Sequence, residues 1–281
     1  MAGAAKAVAQ PTLAGALALG RRELVALVGG GGKTSALCLL AEELAAAGGR
    51  VVATTSTVML LRELRAVGRL VMGADDAELV TGLSEALKKG RAVGAARAPG
   101  ADGKVIGLPP ATIDRLWAND LADYVLVEAD GSRGMPLKTF GLHEPQVPGA
   151  TSTIIVVAGL DAIGRPLSAR HVHRADALAA ALGVPLGVAV TPRLFVRALG
   201  EQVRRLRRGW PASRLVALLN KADDRDEEAL GCQVAREMLA SVHDADPVPL
   251  APDREGLDAV IVASLRRGRF ARVSAAGGCS R

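Results

Sequence analysis

The chain has 281 residues, 49% of them hydrophobic and 23% charged, which is enough apolar content to bury one large core or two modest ones. No apolar stretch nears the roughly 20 residues that cross a bilayer as a helix, so a helical membrane protein is excluded and no membrane partner is expected. The formal charge of +6 raises nucleic acid as a partner, but aromatics at 2% supply no stacking surface for single strands, and no nucleic-acid partner is expected either.

Residues 1–20 read as an N-terminal extension carrying a helix beside the first strand, because a secretory cleavage after the apolar segment Pro11 to Gly20 would strip the chain back to that strand. A buried strand at 24–28 leads to a helix at 34–47, a strand at 50–54, a strand at 69–72 and a helix at 75–89. Beyond a strand at 91–96, the turn residues Gly94, Pro99-Gly100 and Asp102-Gly103 mark the Gly90 to Leu108 segment as a hairpin at the sheet edge. A helix at 110–119 and a strand at 123–128 come next, and then the polar, proline-punctuated stretch from Gly131 to Gly149, long enough to predict a functional loop. Strands at 153–158, 187–190 and 214–219 and helices at 193–207, 225–241 and 254–266 complete the order. This alternation predicts an α/β fold, a mostly parallel sheet with helices on both faces and a small edge hairpin. It forms one domain over 21–270 with a flexible tail at 271–281. The runs Arg204-Arg205-x-Arg207-Arg208 and Arg266-Arg267-x-Arg269 fall at predicted helix ends, where solvated cations complement the dipole.

The first strand runs straight into Gly29-Gly30-Gly31-Gly32-Lys33-Thr34-Ser35. A glycine turn between a strand and a helix can point amides at a phosphate, with Lys33 reaching the β and γ phosphates and the Thr34 hydroxyl ligating Mg²⁺. The loop is two residues shorter than the usual Gly-x₄-Gly-Lys-Thr, a form that also occurs in ATP-dependent amide ligases of the Mur type, so it predicts phosphate without naming the base. A dinucleotide fingerprint is the rival, but strand two ends in Thr54-Thr55-Ser56-Thr57 without the acid that would hold a ribose. The strand Tyr124-Val125-Leu126-Val127 ends in Glu128-Ala129-Asp130-Gly131, and either Glu128 or Asp130 faces Mg²⁺. Its Glu-x-x-Gly resembles that of metal-centre maturation GTPases serving urease and hydrogenase. Lys33, Thr34 and Asp130 are the expected catalytic groups. A further strand delivers Asn220-Lys221-Ala222-Asp223, the Asn-Lys-x-Asp that reads guanine in GTPases, where Asp223 would accept N1–H and N2–H₂. The three cysteines, Cys38, Cys232 and Cys279, are odd in number and far apart, which predicts a reducing cytoplasm and neither a zinc cluster nor a disulfide frame, with Cys279 the one thiol placed to carry a soft atom.

Together with His143-Glu144-Pro145, His171-Val172-His173-Arg174 and the run from Val127 to Lys138, these motifs resemble the YqeC-type accessory proteins of selenium-dependent molybdenum hydroxylases, from about Leu13 to Leu265. The resemblance implies a P-loop NTPase-like maturation factor for a selenium-containing molybdenum cofactor, with a molybdenum hydroxylase or its maturation proteins as partners. Arg133, Lys138, His143, Glu144, His173 and Arg174 add charged groups in a glycine- and proline-pinned loop. They suit an anionic ligand such as a molybdopterin-type cofactor, or a selenium species. His171 and His173 share a side of an extended chain and offer a metal site with His143 as an alternative. The reading favours a Mg²⁺-dependent hydrolase of GTP over ATP, and leaves open an ATP-dependent ligase or kinase and a non-enzymatic carrier.

Overall fold

The computed structural model describes residues 12–241, 256–273 and 279–280. The first strand, β1 (Glu23–Gly29), explains the architecture in miniature. Leu24, Ala26 and Val28 enter one hydrophobic cluster and Val25 and Leu27 the other, so side chains that alternate across the strand are buried on both faces. A strand buried on both faces reads as a continuous apolar run, the sequence signature of a parallel sheet covered by helices.

In chain order, α1 (Leu13–Leu17), β1, α2 (Lys33–Ala46), β2 (Val51–Thr55), β3 (Val58–Leu60), α3 (Leu61–Val67), β4 (Arg69–Met72) and α4 (Asp76–Lys89) form the first part. Then come β5 (Ala92–Ala96), β6 (Ala98–Pro99), β7 (Lys104–Ile106), α5 (Pro110–Ala118), β8 (Tyr124–Glu128) and β9 (Leu137–Lys138). The remainder is β10 (Thr153–Gly159), β11 (Val172–His173), α6 (Ala175–Leu182), α7 (Pro192–Gly209), β12 (Arg214–Asn220), α8 (Arg225–Ser241), β13 (Ala259–Ser264), β14 (Arg269–Val273) and β15 (Cys279–Ser280). The main sheet has ten strands in the order β15-β14-β13-β12-β10-β1-β8-β2-β5-β4, parallel except for β14 and β15 at one edge. Leucines of α1, α2 and α3 cover one face, and α4 to α8 cover the other. With β1 at the centre, its neighbours β8 and β10 bring their carboxyl ends beside the glycine loop. The crevice beyond those strand ends is where open α/β sheets place ligands.

Helix α1 is tied at both ends. Glu43 of α2 accepts from the Leu13 and Ala14 amides at 2.9 and 2.8 Å, and Arg214 caps the Leu17 and Ala18 carbonyls, so an acid and a cation each meet the helix end whose dipole they complement.

Four expectations change. The Ala259 to Ser264 segment, read as part of a helix at 254–266, is a parallel strand, because Val260, Ile261 and Val262 form a β-branched run buried on both sides. Residues 187–190 do not join the sheet: only Val190 of the four is buried, and the segment meets 164–167 as an irregular ribbon with one bridge between Pro166 and Ala189. The Gly90 to Leu108 segment is not wholly an edge hairpin, since β5 lies between β2 and β4 in the main sheet and only β6 and β7 form a hairpin, in a separate small sheet with β3. The tail expected from 271 begins inside β14, which pairs with both β13 and β15. The side chain of Cys279 lies outside the described residues.

The arginine run of α7 is not a uniformly solvated face. Arg207 is buried and bound to the carbonyls of Ser213 and Gly256 and to Asp258, and Arg205 clamps the carbonyls of Phe140, Gly141 and Leu142. Spacing along a helix shows which residues share a face, but not that a neighbouring loop will come to cover it.

Candidate functional site

The glycine loop packs against three segments at once. A Cβ on Gly29 would come 2.2 Å from the Val157 carbonyl, one on Gly30 2.4 Å from that of Met135, one on Gly31 2.3 Å from the Gly159 amide, and one on Gly32 2.4 Å from the Asn220 amide nitrogen. The loop needs glycine at all four positions before any ligand is considered. Gly29, Gly31 and Gly32 also hold positive φ values of 95°, 74° and 135°. Three of the amides are spent internally: Gly29 donates to Asp130 Oδ2 at 3.0 Å, Gly30 to Val157 O at 2.8 Å and Gly31 to Met135 O at 2.9 Å. The amides left for an anion are therefore later than the glycine run suggests, from Gly32 to Ser35. Helix α2 begins there, with no side-chain cap and no acid in its first turn. Those amides have no intrahelical carbonyl to bind, and the dipole end favours negative charge.

Lys33 and Thr34 open this helix and face the carboxyl end of β8. The Thr34 hydroxyl donates to Glu128 Oε2 at 2.7 Å. Lys33 Nζ folds back onto the Gly29 carbonyl at 2.7 Å and stands 3.2 Å from Asp130 Oδ1 and 3.9 Å from Glu128 Oε1. Asp130 Oδ1 faces the ammonium out of line for a hydrogen bond, so that contact is an ion pair alone. Glu128 is the acid beside the threonine hydroxyl, whereas Asp130 is turned toward two lysines. Burial pushes the Glu128 carboxyl above its ordinary value, against the pull of Lys33 and of the Thr34 hydroxyl. Thr55, paired in register with Glu128 on β2, donates its hydroxyl to the Glu128 carbonyl at 2.8 Å and pins the end of β8.

From Lys33 a chain of alternating charge runs into the 131–149 loop. Lys138 Nζ lies 2.9 Å from Asp130 Oδ2, 2.6 Å from Glu144 Oε2 and 2.7 Å from the Gly131 carbonyl, and Arg174 meets both Glu144 oxygens at 2.6 and 3.0 Å. Asp130 and Lys138 are fully buried, and Gln202 of α7 donates to the Lys138 carbonyl. Burial would raise the Glu144 carboxyl, but hydrogen bonds from Arg174 and Lys138 prevail and hold it at about 2. Burial, and then the Arg174 and Lys138 cations, push the His173 imidazole below its ordinary value. Of the six groups expected to hold a substrate, Lys138, Glu144 and Arg174 thus bind one another, His173 sits within their field, and Arg133 and His143 are exposed. Among the described residues no group of three or more His, Cys, Asp or Glu side chains is placed to hold a metal, so His143, His171 and His173 do not converge.

The Asn220 to Asp223 segment ends β12 at the same edge of the sheet. Asn220 Nδ2 donates to the Gly31 carbonyl at 2.8 Å and its Oδ1 accepts from the Leu265 amide at 3.1 Å, which ties this segment to the glycine loop and to the turn after β13. Lys221 pairs with Asp161 at 2.7 Å. The Asp223 carboxylate accepts from the Ser264 hydroxyl at 2.5 Å and lies 3.2 Å from Arg266 Nη2. Sequence reasoning missed Ser264 and Arg266 because it placed both in a helix. A serine closing a buried β-branched run was the available signal.

A glycine loop between a central parallel strand and a helix, with an acid-ended neighbouring strand, defines a P-loop NTPase-like α/β protein. The family model described as YqeC protein matches residues 25–176, more than half of the chain, and the chain belongs to that family. It is also 46% identical over 72 residues to a protein of Escherichia coli (strain K12) bearing the name Uncharacterized protein YqeC. That match covers 26% of this chain and 28% of the length of its relative. No helix among the described residues is long and apolar enough to cross a membrane.

Proposed function

We propose that this protein is a Mg²⁺-dependent nucleotide hydrolase, acting on GTP in preference to ATP, that serves as a cytoplasmic maturation factor for a selenium-containing molybdenum cofactor. The pair formed by the Thr34 hydroxyl and Glu128, at 2.7 Å beside the uncapped start of α2, carries the reading. A hydroxyl and a carboxylate are the hard oxygen donors Mg²⁺ takes alongside phosphate oxygens and water, so these two residues fit the ion. Bound there, Mg²⁺ would neutralise charge on the β and γ phosphates. Lys33 would exchange the Gly29 carbonyl and Asp130 for phosphate oxygens, and the amides from Gly32 to Ser35 would stabilise charge on the transferred phosphoryl group. The guanine preference rests on Asp223. The cofactor pathway rests on the resemblance that the family carries, with the exposed Arg133 and His143 the groups an anionic molybdopterin-type cargo or a selenium species would meet.

The short loop favours one second reading, an ATP-dependent ligase that activates an acidic substrate. Phosphate release separates the two. The hydrolase is expected to release phosphate from GTP slowly without any acceptor, only with Mg²⁺ present, and to stop when the ion is chelated. Release that begins only when a carboxylate acceptor is supplied, and from ATP, would replace the proposal with the ligase.

A further inference from the structure

Asp223 is held unevenly. Its amide donates to Glu227 Oε2 at 2.7 Å, its carbonyl accepts from Arg269 Nη2 at 2.8 Å, and its Oδ1 accepts from the Ser264 hydroxyl at 2.5 Å. Those partners stand on α8, β14 and β13, so packed elements fix the backbone of Asp223 and one of its carboxylate oxygens. The contact to Oδ2 is different, because the Arg266 side chain that makes it is 73% exposed on the turn after β13. An exposed ion pair contributes little and weakens with salt. Oδ2 is therefore the acceptor that Asp223 can hand to another donor at small cost.

The chemistry of Arg266 indicates which donor. A guanidinium presents N–H groups fanned about one sp² carbon and suited to a carboxylate. The N1–H and N2–H₂ edge of guanine presents the same arrangement around C2. At the same positions adenine offers a bare ring nitrogen and a C2–H, and the lone pair of that nitrogen would oppose the carboxylate. The location fits as well, since Asn220 links the 264–266 turn to the glycine loop through Leu265 and Gly31.

Resting on the guanine reading above, we infer that Arg266 is a built-in stand-in for the base. Its guanidinium occupies Asp223 Oδ2 until guanine displaces it, and Ser264 holds Oδ1 in place as the specificity anchor. The full chain is titrated with GTP and with ATP in the presence of Mg²⁺, at low and high salt, as wild type, Arg266→Ala and Ser264→Ala. Removing the competitor is expected to tighten GTP binding by about two- to five-fold, the scale of one exposed ion pair, with ATP unaffected and the gain fading at high salt. Ser264→Ala is expected to weaken GTP about ten-fold while sparing ATP. GTP binding that is unchanged or weaker in Arg266→Ala overturns the stand-in. A wild-type protein that binds ATP as well as GTP instead defeats the guanine reading, a separate and recognisable outcome.

Discussion

Replacing Lys138 with methionine is expected to destabilise the protein by about 3–5 kcal/mol, the cost of removing one partner from a buried ion pair. Methionine has nearly the same length and flexibility, so the loss is electrostatic and leaves no large cavity. Asp130 would keep Lys33 and the Gly29 amide, and Glu144 would keep Arg174, but each would lose a cation within 3 Å at a fully buried ammonium. In a chain of this size the effect is a fall in melting temperature on the order of 10 °C. Its pH dependence identifies the cause. Because the folded state holds Glu144 at about 2, below its unfolded value, the stability it contributes is present above roughly pH 4.5 and is lost as pH falls toward 2. The gap between wild type and variant is therefore expected to be widest near neutrality and to narrow below about pH 4. A variant that melts with the wild type at pH 7 would show that Lys138 contributes nothing to the fold.

The second large effect is expected at Lys33. In the structure its ammonium is held by the Gly29 carbonyl and Asp130, both within reach of the open end of α2, so it is positioned to change partners when phosphate arrives. Lys33→Ala is expected to lower nucleotide turnover by about 10²–10³, the usual consequence of deleting one donor to developing charge. The fold is expected to survive, since Asp130 retains Lys138 and the Gly29 amide. Turnover measured beside a thermal melt separates the two effects. Wild-type turnover in a well-folded variant would remove Lys33 from the chemistry.

Much of this fold was legible because parallel strands buried on both faces write unbroken apolar runs, as at Leu24 to Val28 and Leu215 to Leu219. The same rule failed at Ala259 to Ser264, where a short apolar run between charged ends has no period to tell strand from helix. The site divides along similar lines. Gly29 to Thr34 and Asn220 to Asp223 are contiguous, and their chemistry is local enough to read. The partners of Lys138 stand at 130, 131 and 144, and those of Glu144 at 138 and 174, so only the folded chain reveals that these charges satisfy one another. Sequence reading took them for groups left free to bind an anion, because a charged residue in a polar loop is ordinarily solvated. The glycines carry a similar lesson. Their spacing suggested amides turned to phosphate, yet the close approach of Val157, Met135 and Gly159 already requires them.

The glycine loop and Asp223 are expected to bind one nucleotide between them. Calorimetric titration of the wild-type chain and Asp223→Ala with GTP and ATP, each with Mg²⁺, tests it directly. The prediction is that wild type prefers GTP by at least about 100-fold, since adenine would turn the lone pair of a bare ring nitrogen toward the Asp223 carboxylate where guanine donates, and that Asp223→Ala erases the preference while still binding both nucleotides through phosphate. Equal binding of ATP and GTP by the wild type, unchanged in Asp223→Ala, would contradict it.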